Sequence, residues 1–128
     1  MSEKKPKIFI VDDEPLLTEM LTDYLQEQDS NLELEAFPTG EACVQSLEAG
    51  PDLVVLDYYL NSKEKEAANG IDILKIIRSK NKALPVVMLS SQQSYSTAMQ
   101  TIGYGAIHYV IKGQDAFHEI YQLIKANV

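Results

Sequence analysis

The segment Leu53-Val54-Val55-Leu56-Asp57-Tyr58-Tyr59-Leu60 is the most informative part of the sequence. It opens with four apolar residues in a row, which predicts a strand buried on both faces within a parallel sheet. Asp57 follows at the carboxyl end of that predicted strand. Because ligands bind outside the carboxyl ends of the strands in open parallel sheets, Asp57 is the first candidate for a functional residue.

The composition is that of one ordinary globular domain. The chain has 128 residues, of which 45% are hydrophobic and 23% are charged, and this is enough to bury a full core. The formal net charge of −8 argues against direct binding of nucleic acid. No apolar run approaches the ~18–20 residues of a membrane-spanning helix, so we expect no membrane insertion. The single cysteine, Cys43, cannot form an internal disulfide and fits a cytoplasmic location.

Apolar runs and helical periodicity alternate along the chain. Strands are predicted at residues 7–11, 32–37, 53–57, 85–89 and 106–111, the second at a sheet edge because apolar and polar residues alternate in it. Helices are predicted to begin near Pro15, Thr39, Gly70, Tyr95 and Gln114. One apolar stripe is expected on the first helix, formed by Leu17, Met20, Leu21, Tyr24 and Leu25. The (βα)5 order predicts an α/β fold with a doubly wound, flavodoxin-like, parallel five-stranded sheet and helices on both faces.

Polar side chains stand at the carboxyl ends of four predicted strands. They are Asp12 with Asp13, then Asp57, Ser90 and Lys112. These strand ends share one edge of a doubly wound sheet, so we expect the side chains to converge there. Three close carboxylates repel one another, and a Mg²⁺ ion with its preference for oxygen ligands would relieve the repulsion. A lysine and a hydroxyl suit phosphoryl oxygens, so Asp57 is a candidate nucleophile that becomes an acyl phosphate.

These motifs resemble the receiver domain of two-component response regulators, of the chemotaxis type. The family pattern is an acidic pair after the first strand, an aspartate after the third, a hydroxyl after the fourth, and an aromatic and then a lysine in and after the fifth. The matching residues here are Asp12-Asp13, Asp57, Ser90, Tyr109 and Lys112. The resemblance covers nearly the whole chain, with residues 1–6 as an N-terminal tail and residues 7–128 as the receiver domain.

The resemblance implies a role for each site residue. Asp57 would accept a phosphoryl group from a sensor histidine kinase or a histidine phosphotransfer protein. Asp13 would bind Mg²⁺ directly and Asp12 largely through water, with Asp57 and the backbone carbonyl of Tyr59 as further ligands. Lys112 would pair with Asp57 at rest and with the phosphoryl oxygens afterwards.

The resemblance also implies a switch rather than a turnover enzyme, one that catalyses at most its own phosphorylation and dephosphorylation. Ser90 would move to the phosphoryl group and Tyr109 would swing inward behind it. The face formed by the fourth helix, fifth strand and fifth helix would then change for a downstream partner that the sequence does not identify. The same face would serve a dimer if one forms.

Two departures from the family pattern bear on the site. The polar stretch 61–69 makes the loop after Asp57 longer by about five residues than in compact members of the family, and such a loop could bind a partner or be neutral. Gly113 follows Lys112 where the family has a proline after a cis peptide bond. Because a non-proline cis bond costs about 3 kcal/mol, we expect a trans Lys112–Gly113 bond and a looser lysine.

Three other functions are alternatives to the switch. A phosphorylation-independent interaction module is supported only by the longer loop and by Gly113. A flavin-binding electron carrier would need a phosphate-binding loop where Asp12-Asp13-Glu14 stands, and these acids would repel a phosphate. A phosphatase of the haloacid-dehalogenase kind would need a second acid two residues after the nucleophile, where Tyr59 stands.

Overall fold

A computed structural model describes residues 5–60, 69–91 and 93–128. Ten main elements alternate between strand and helix, and a single turn of 3-10 helix, Leu47–Ala49, follows the second helix. The strands are β1 Lys7–Val11, β2 Glu33–Phe37, β3 Leu53–Asp57, β4 Val86–Ser90 and β5 His108–Ile111. The helices are α1 Pro15–Gln28, α2 Gly40–Gln45, α3 Gly70–Lys80, α4 Tyr95–Gly103 and α5 Ala116–Asn127.

The five strands form one parallel sheet in the order β2-β1-β3-β4-β5. The chain runs from β1 outward to β2 and then crosses back to β3 on the other side of β1. This reversal leaves a crevice at the carboxyl ends of β1 and β3, which is where open α/β sheets bind ligands. The predicted (βα)5 fold and the edge position of β2 are therefore confirmed.

Two apolar layers cover the two faces of the sheet. Val54 and Leu56 of β3 belong to one core cluster, which α3 covers with Ile73, Leu74 and Ile77. Leu53 and Val55 belong to the other cluster, covered by residues of α1 and α5. All five residues of β3 are buried. The apolar run that precedes Asp57 is thus a central strand buried on both faces, as its sequence predicts.

Local sequence signals fix several helix ends. The Thr39 hydroxyl accepts a hydrogen bond from the Ala42 N–H at 3.1 Å and caps α2, as predicted. The Asn69 side chain caps α3 in the same way through the Asp72 N–H at 3.0 Å. Helix α3 thus begins at Gly70, as predicted, and its cap is the last residue of the predicted loop 61–69; the other residues of that loop lie outside the described part of the chain.

Two sequence-based predictions are corrected. Strand β5 begins at His108 and not at residue 106, because the Ala106 N–H donates to the Thr101 carbonyl and so still belongs to the turn that ends α4. Gly105 makes this turn possible with a φ of 110°. Met20 is 51% exposed, although the apolar stripe predicted for α1 includes it. Leu21 and Leu25 of that stripe are buried.

Candidate functional site

Asp57 is held at the end of β3 with almost no solvent exposure, 1% of its surface. Its Oδ1 atom accepts a hydrogen bond from the Tyr59 N–H at 3.3 Å and lies 3.4 Å from the Lys112 Nζ. Its Oδ2 atom is buried and has no hydrogen-bond partner among the residues that the structure describes. A buried carboxylate oxygen in this state is costly unless a ligand completes it.

Three carboxylates meet beside this atom, as the sequence predicts. Asp12 and Asp13 follow β1, and one oxygen from each lies within 4.8 Å of the others and of an oxygen of Asp57. Asp12 is 5% exposed, and its Oδ1 accepts the Glu14 N–H at 2.8 Å. Its Oδ2 is buried, and none of the described residues forms a hydrogen bond with it. The cluster therefore offers converging oxygen ligands of the kind that hard divalent cations prefer.

Burial and mutual repulsion act on the acids of this cluster. Burial first, and the charge of Asp57 second, raise the pKa of Asp12 to about 7. Burial also raises the pKa of Asp57, although Lys112 and the Tyr59 N–H oppose that shift. Ionisation of all these acids together is therefore unfavourable, and a bound cation would offset the repulsion.

Lys112 supplies positive charge from the end of β5. Its Nζ lies 3.4 Å from Asp57, 3.5 Å from Glu14 and 3.8 Å from Asp12. Burial opposes the charged form of the lysine, but these three acids outweigh it, so the pKa of Lys112 is raised. The predicted trans bond after Lys112 is confirmed, since no cis peptide bond occurs in the described ranges.

Ser90 and Tyr109 form a second group beside the acids. Ser90 is fully buried at the end of β4, and its hydroxyl and the Tyr109 side chain are hydrogen-bonded. Tyr109 is half-buried against the core cluster that contains Met88, its partner on β4. Burial is the main cause of its raised pKa. The aromatic rings of Tyr58 and Tyr59 meet nearly perpendicularly, with centroids 4.8 Å apart, and both side chains add to the shift.

The structure brings together the residues that the sequence singled out and adds one. Glu14 pairs with Lys112, whereas the sequence analysis named it only as part of the acidic run Asp12-Asp13-Glu14. Its one local signal is its place between an acidic pair and Pro15. His108 and His118 are exposed, and Cys43 is buried in the core.

Comparison with known protein families shows to which family the chain belongs. The family model described as the response regulator receiver domain matches residues 8–125. The chain belongs to this family. The receiver domain is 32% identical over 106 residues to the transcriptional regulatory protein ResD of Bacillus subtilis. The matched segment covers 83% of this chain and 41% of ResD. It spans less than half the length of the curated relatives it matches.

Solved structures agree with the fold of this receiver domain. The response regulator TrrA from Thermotoga maritima, in complex with Mg²⁺ and a beryllium fluoride, has a TM-score of 0.80 at 27% identity, covering 96% of this chain and 99% of TrrA. The chemotaxis protein CheY4 of Vibrio cholerae has a TM-score of 0.81 at 20% identity, covering 98% of this chain and all of CheY4. Among the described helices of this receiver domain, none has the length and apolar character to span a bilayer.

Proposed function

We propose that this receiver domain accepts a phosphoryl group on Asp57 from a phosphohistidine of a sensor histidine kinase or a histidine phosphotransfer protein. The observation that carries this proposal is the buried Oδ2 of Asp57, which has no hydrogen-bond partner in the described part of the chain, while Lys112 lies 3.4 Å from Oδ1. A carboxylate held in this way is both fixed and chemically unsatisfied. It can act as a nucleophile toward phosphorus once the charge around it is balanced.

A Mg²⁺ ion fits the three-acid cluster. The fit rests on the buried Oδ2 atoms of Asp12 and Asp57 without hydrogen-bond partners, and on the raised pKa of Asp12. Asp13, Asp57 and the Tyr59 carbonyl would be the direct ligands, with Asp12 acting largely through water. When bound, the ion would offset the charge of the acids and of the phosphoryl oxygens.

The chain's own residues would carry the transfer. An oxygen of Asp57 forms a bond to phosphorus as the P–N bond to the donor's histidine breaks, and the imidazole leaves with the bonding electrons. Lys112 lies close enough to Asp57 to pair with the phosphoryl oxygens that arrive there. The transfer produces one aspartyl phosphate, and the domain itself catalyses this step and the later hydrolysis.

The switch would pass through Ser90 and Tyr109. Ser90 is buried one residue beyond Leu89, which faces Asp57 in the sheet register, and it is hydrogen-bonded to Tyr109. Movement of Ser90 toward the phosphoryl group would break or reshape that hydrogen bond. The change would reach the face of α4, β5 and α5, where apolar side chains on α4, on β5 and just before β5 are exposed for a downstream partner or a second copy: Tyr95, Met99, Ile102, Ile107 and Ile111.

Phosphorylation-independent interaction is the weaker alternative. A module without a switch has no need for three converging carboxylates beside a lysine, because such a cluster costs stability. We also propose a cytoplasmic location, which the single free cysteine, Cys43, supports.

The test is Mg²⁺-dependent phosphorylation with a phosphorylated histidine kinase or with acetyl phosphate, followed by intact mass spectrometry. We expect one phosphoryl group on the wild-type protein and none on Asp57→Asn. Asp72→Asn, which replaces an exposed acid on α3, is the matched control and should be labelled like the wild type. Labelling of Asp57→Asn would contradict the assignment.

A further inference from the structure

The main chain around Lys112 is hydrogen-bonded on both sides, because the Gly113 carbonyl accepts from the Ala116 N–H at 3.2 Å. The Lys112 N–H donates to the Ser90 carbonyl at 2.8 Å, which ties the residue to β4. Beyond it, Gly113 has open space, since a Cβ atom there would meet nothing nearer than the Ile111 carbonyl at 4.0 Å. Glycine is also the least restrained residue in the main chain. Because lysine carries its ammonium group on a long, flexible stem, the direction of the Lys112 side chain is set largely by what that group contacts.

The main chain at Glu14 is also held in place. Its N–H donates to Asp12 Oδ1 at 2.8 Å, and its carbonyl accepts from the Thr18 N–H at 3.1 Å. Pro15 follows it, and a residue before proline is restricted to extended conformations; Glu14 has φ −103° and ψ 106°. The side chain thus leaves a fixed point of the main chain and reaches Lys112 at 3.5 Å.

Glu14 differs from the other acids that contact Lys112. Its side chain is 58% exposed, against 1% for Asp57 and 3% for Asp12. The group with metal-ligand spacing consists of Asp12, Asp13 and Asp57. A divalent cation would engage the charges of those three acids. The carboxylate of Glu14 would stay with the lysine.

We propose that Glu14 is a positioning residue, which holds the Lys112 ammonium toward the phosphoryl group at Asp57. The inference rests on the proposed function and adds a residue to it. Glu14 itself touches neither phosphorus nor metal in this scheme, so it acts only through Lys112.

If Glu14 acted only through its charge, its removal would have the opposite effect on phosphoryl binding from the one that we propose. Glu14 is an anion near the binding site of an anionic group, so its removal would strengthen phosphoryl binding if charge alone mattered. If Glu14 positions Lys112, its removal weakens binding instead. The expected size is about two- to fivefold in affinity, the scale of one solvent-exposed ion pair.

The experiment uses beryllofluoride, an analogue of the phosphoryl group, at saturating Mg²⁺ for each variant. Amide NMR signals of Ser90 and Lys112 give the dissociation constant, and the Lys112 side-chain Cε signal reports the position of the lysine. We expect Glu14→Gln to bind beryllofluoride about two- to fivefold more weakly and to shift the Lys112 Cε signal. Glu19→Gln, which removes an exposed acid from the same helix, should match the wild type in both measurements.

Each outcome decides between the possibilities. Equal or tighter binding by Glu14→Gln would overturn the proposal, and so would weaker binding with an unmoved Lys112 Cε signal, because Glu14 would then not act through the lysine. Glu14 is largely exposed, so the variant should fold, and its amide spectrum away from the site checks this. If the wild-type protein itself fails to bind beryllofluoride, the proposed function fails, which is a different result from a failure of the Glu14 inference.

Discussion

Gly70 is in close main-chain contact with Asp57: a Cβ atom on Gly70 would lie 2.5 Å from the Asp57 carbonyl oxygen. The Gly70 N–H also donates to the Tyr58 carbonyl at 3.0 Å. The first turn of α3 is therefore pressed against the end of β3 at the site. Only a residue without a side chain allows this approach, because the atoms on the other side belong to the main chain.

Gly70→Ala should destabilise the protein by about 1–3 kcal/mol, the usual cost of overpacking. Gly103→Ala is the matched control, since Gly103 is also a helical residue and a Cβ atom there would meet nothing within 4 Å. That variant should be neutral or more stable, by up to about 1 kcal/mol, because alanine favours helix over glycine. Urea unfolding measures both, and equal effects of the two substitutions would refute the close contact at Gly70.

The acidic cluster should make the stability of the metal-free protein depend on pH. The folded pKa of Asp12 is raised from 3.8 to about 7. The native state therefore holds this proton more tightly than the unfolded state, and the Asp12 contribution to stability falls as the pH rises from about 4 to about 7. Mg²⁺ relieves the repulsion of the ionised acids, so it should stabilise the protein more at about pH 8 than at about pH 5.

Thermal unfolding in EDTA and in Mg²⁺ at both pH values tests this expectation. Asp12→Asn is the control, because it removes the titrating group, and it should lose most of the difference between the two pH values. An Mg²⁺-induced rise in Tm that is equal at both pH values in the wild type would argue against the assignment of this pH dependence to Asp12.

The hydrogen bond between Tyr109 and Ser90 should be measurable as a coupling energy. Tyr109→Phe removes the hydroxyl next to a fully buried partner, so we expect a loss of about 0.5–1.5 kcal/mol. Tyr95→Phe is the control because Tyr95 is 79% exposed, and it should have little effect. In a Ser90→Ala background the loss from Tyr109→Phe should largely vanish. A loss that is the same in both backgrounds would mean that Tyr109 contributes by packing alone.

Arg78 is expected to matter for stability although it lies away from the acids. Its guanidinium donates to three carbonyls, those of Gly105, Asn81 and Leu84, and so joins the end of α3 to the turn after α4. Arg78→Lys cannot reproduce this fork and should cost about 1–3 kcal/mol. Lys80→Gln, a change at an exposed residue of the same helix, should stay within about 0.5 kcal/mol. Denaturant unfolding decides the matter, and an Arg78→Lys variant as stable as the wild type would contradict it.

The fold was predictable because its signals are local. Each buried strand carries a continuous apolar run, and the alternation of such runs with helical periodicity allows few topologies. The predicted start of β5 was wrong because Ala106 and Ile107 are apolar, like the strand residues that follow them. What separates them is a hydrogen bond from Ala106 to Thr101, and this bond leaves no mark in an apolar pattern.

The composition of the acid and lysine cluster was predictable for a similar reason. Parallel strands place their carboxyl ends at one edge, so residues that follow different strands meet there. The contact between Glu14 and Lys112 was not predictable, since it depends on how far two flexible side chains reach across the crevice. The roles of Ser90, Tyr109 and the Tyr59 carbonyl remain predictions that the experiments above address.

The place of β5 in the sheet also has a consequence for local opening. It is a strand of four residues, and among the described strands it pairs with β4 alone. Short edge strands are among the first segments to exchange their amide hydrogens. When β5 detaches, Lys112 leaves with it and three acids lose their counter-charge. We therefore expect the rate of amide hydrogen exchange in β5 to report on the state of the site. Exchange should be slow while Lys112 pairs with the acids, and faster when a bound cation balances their charge instead.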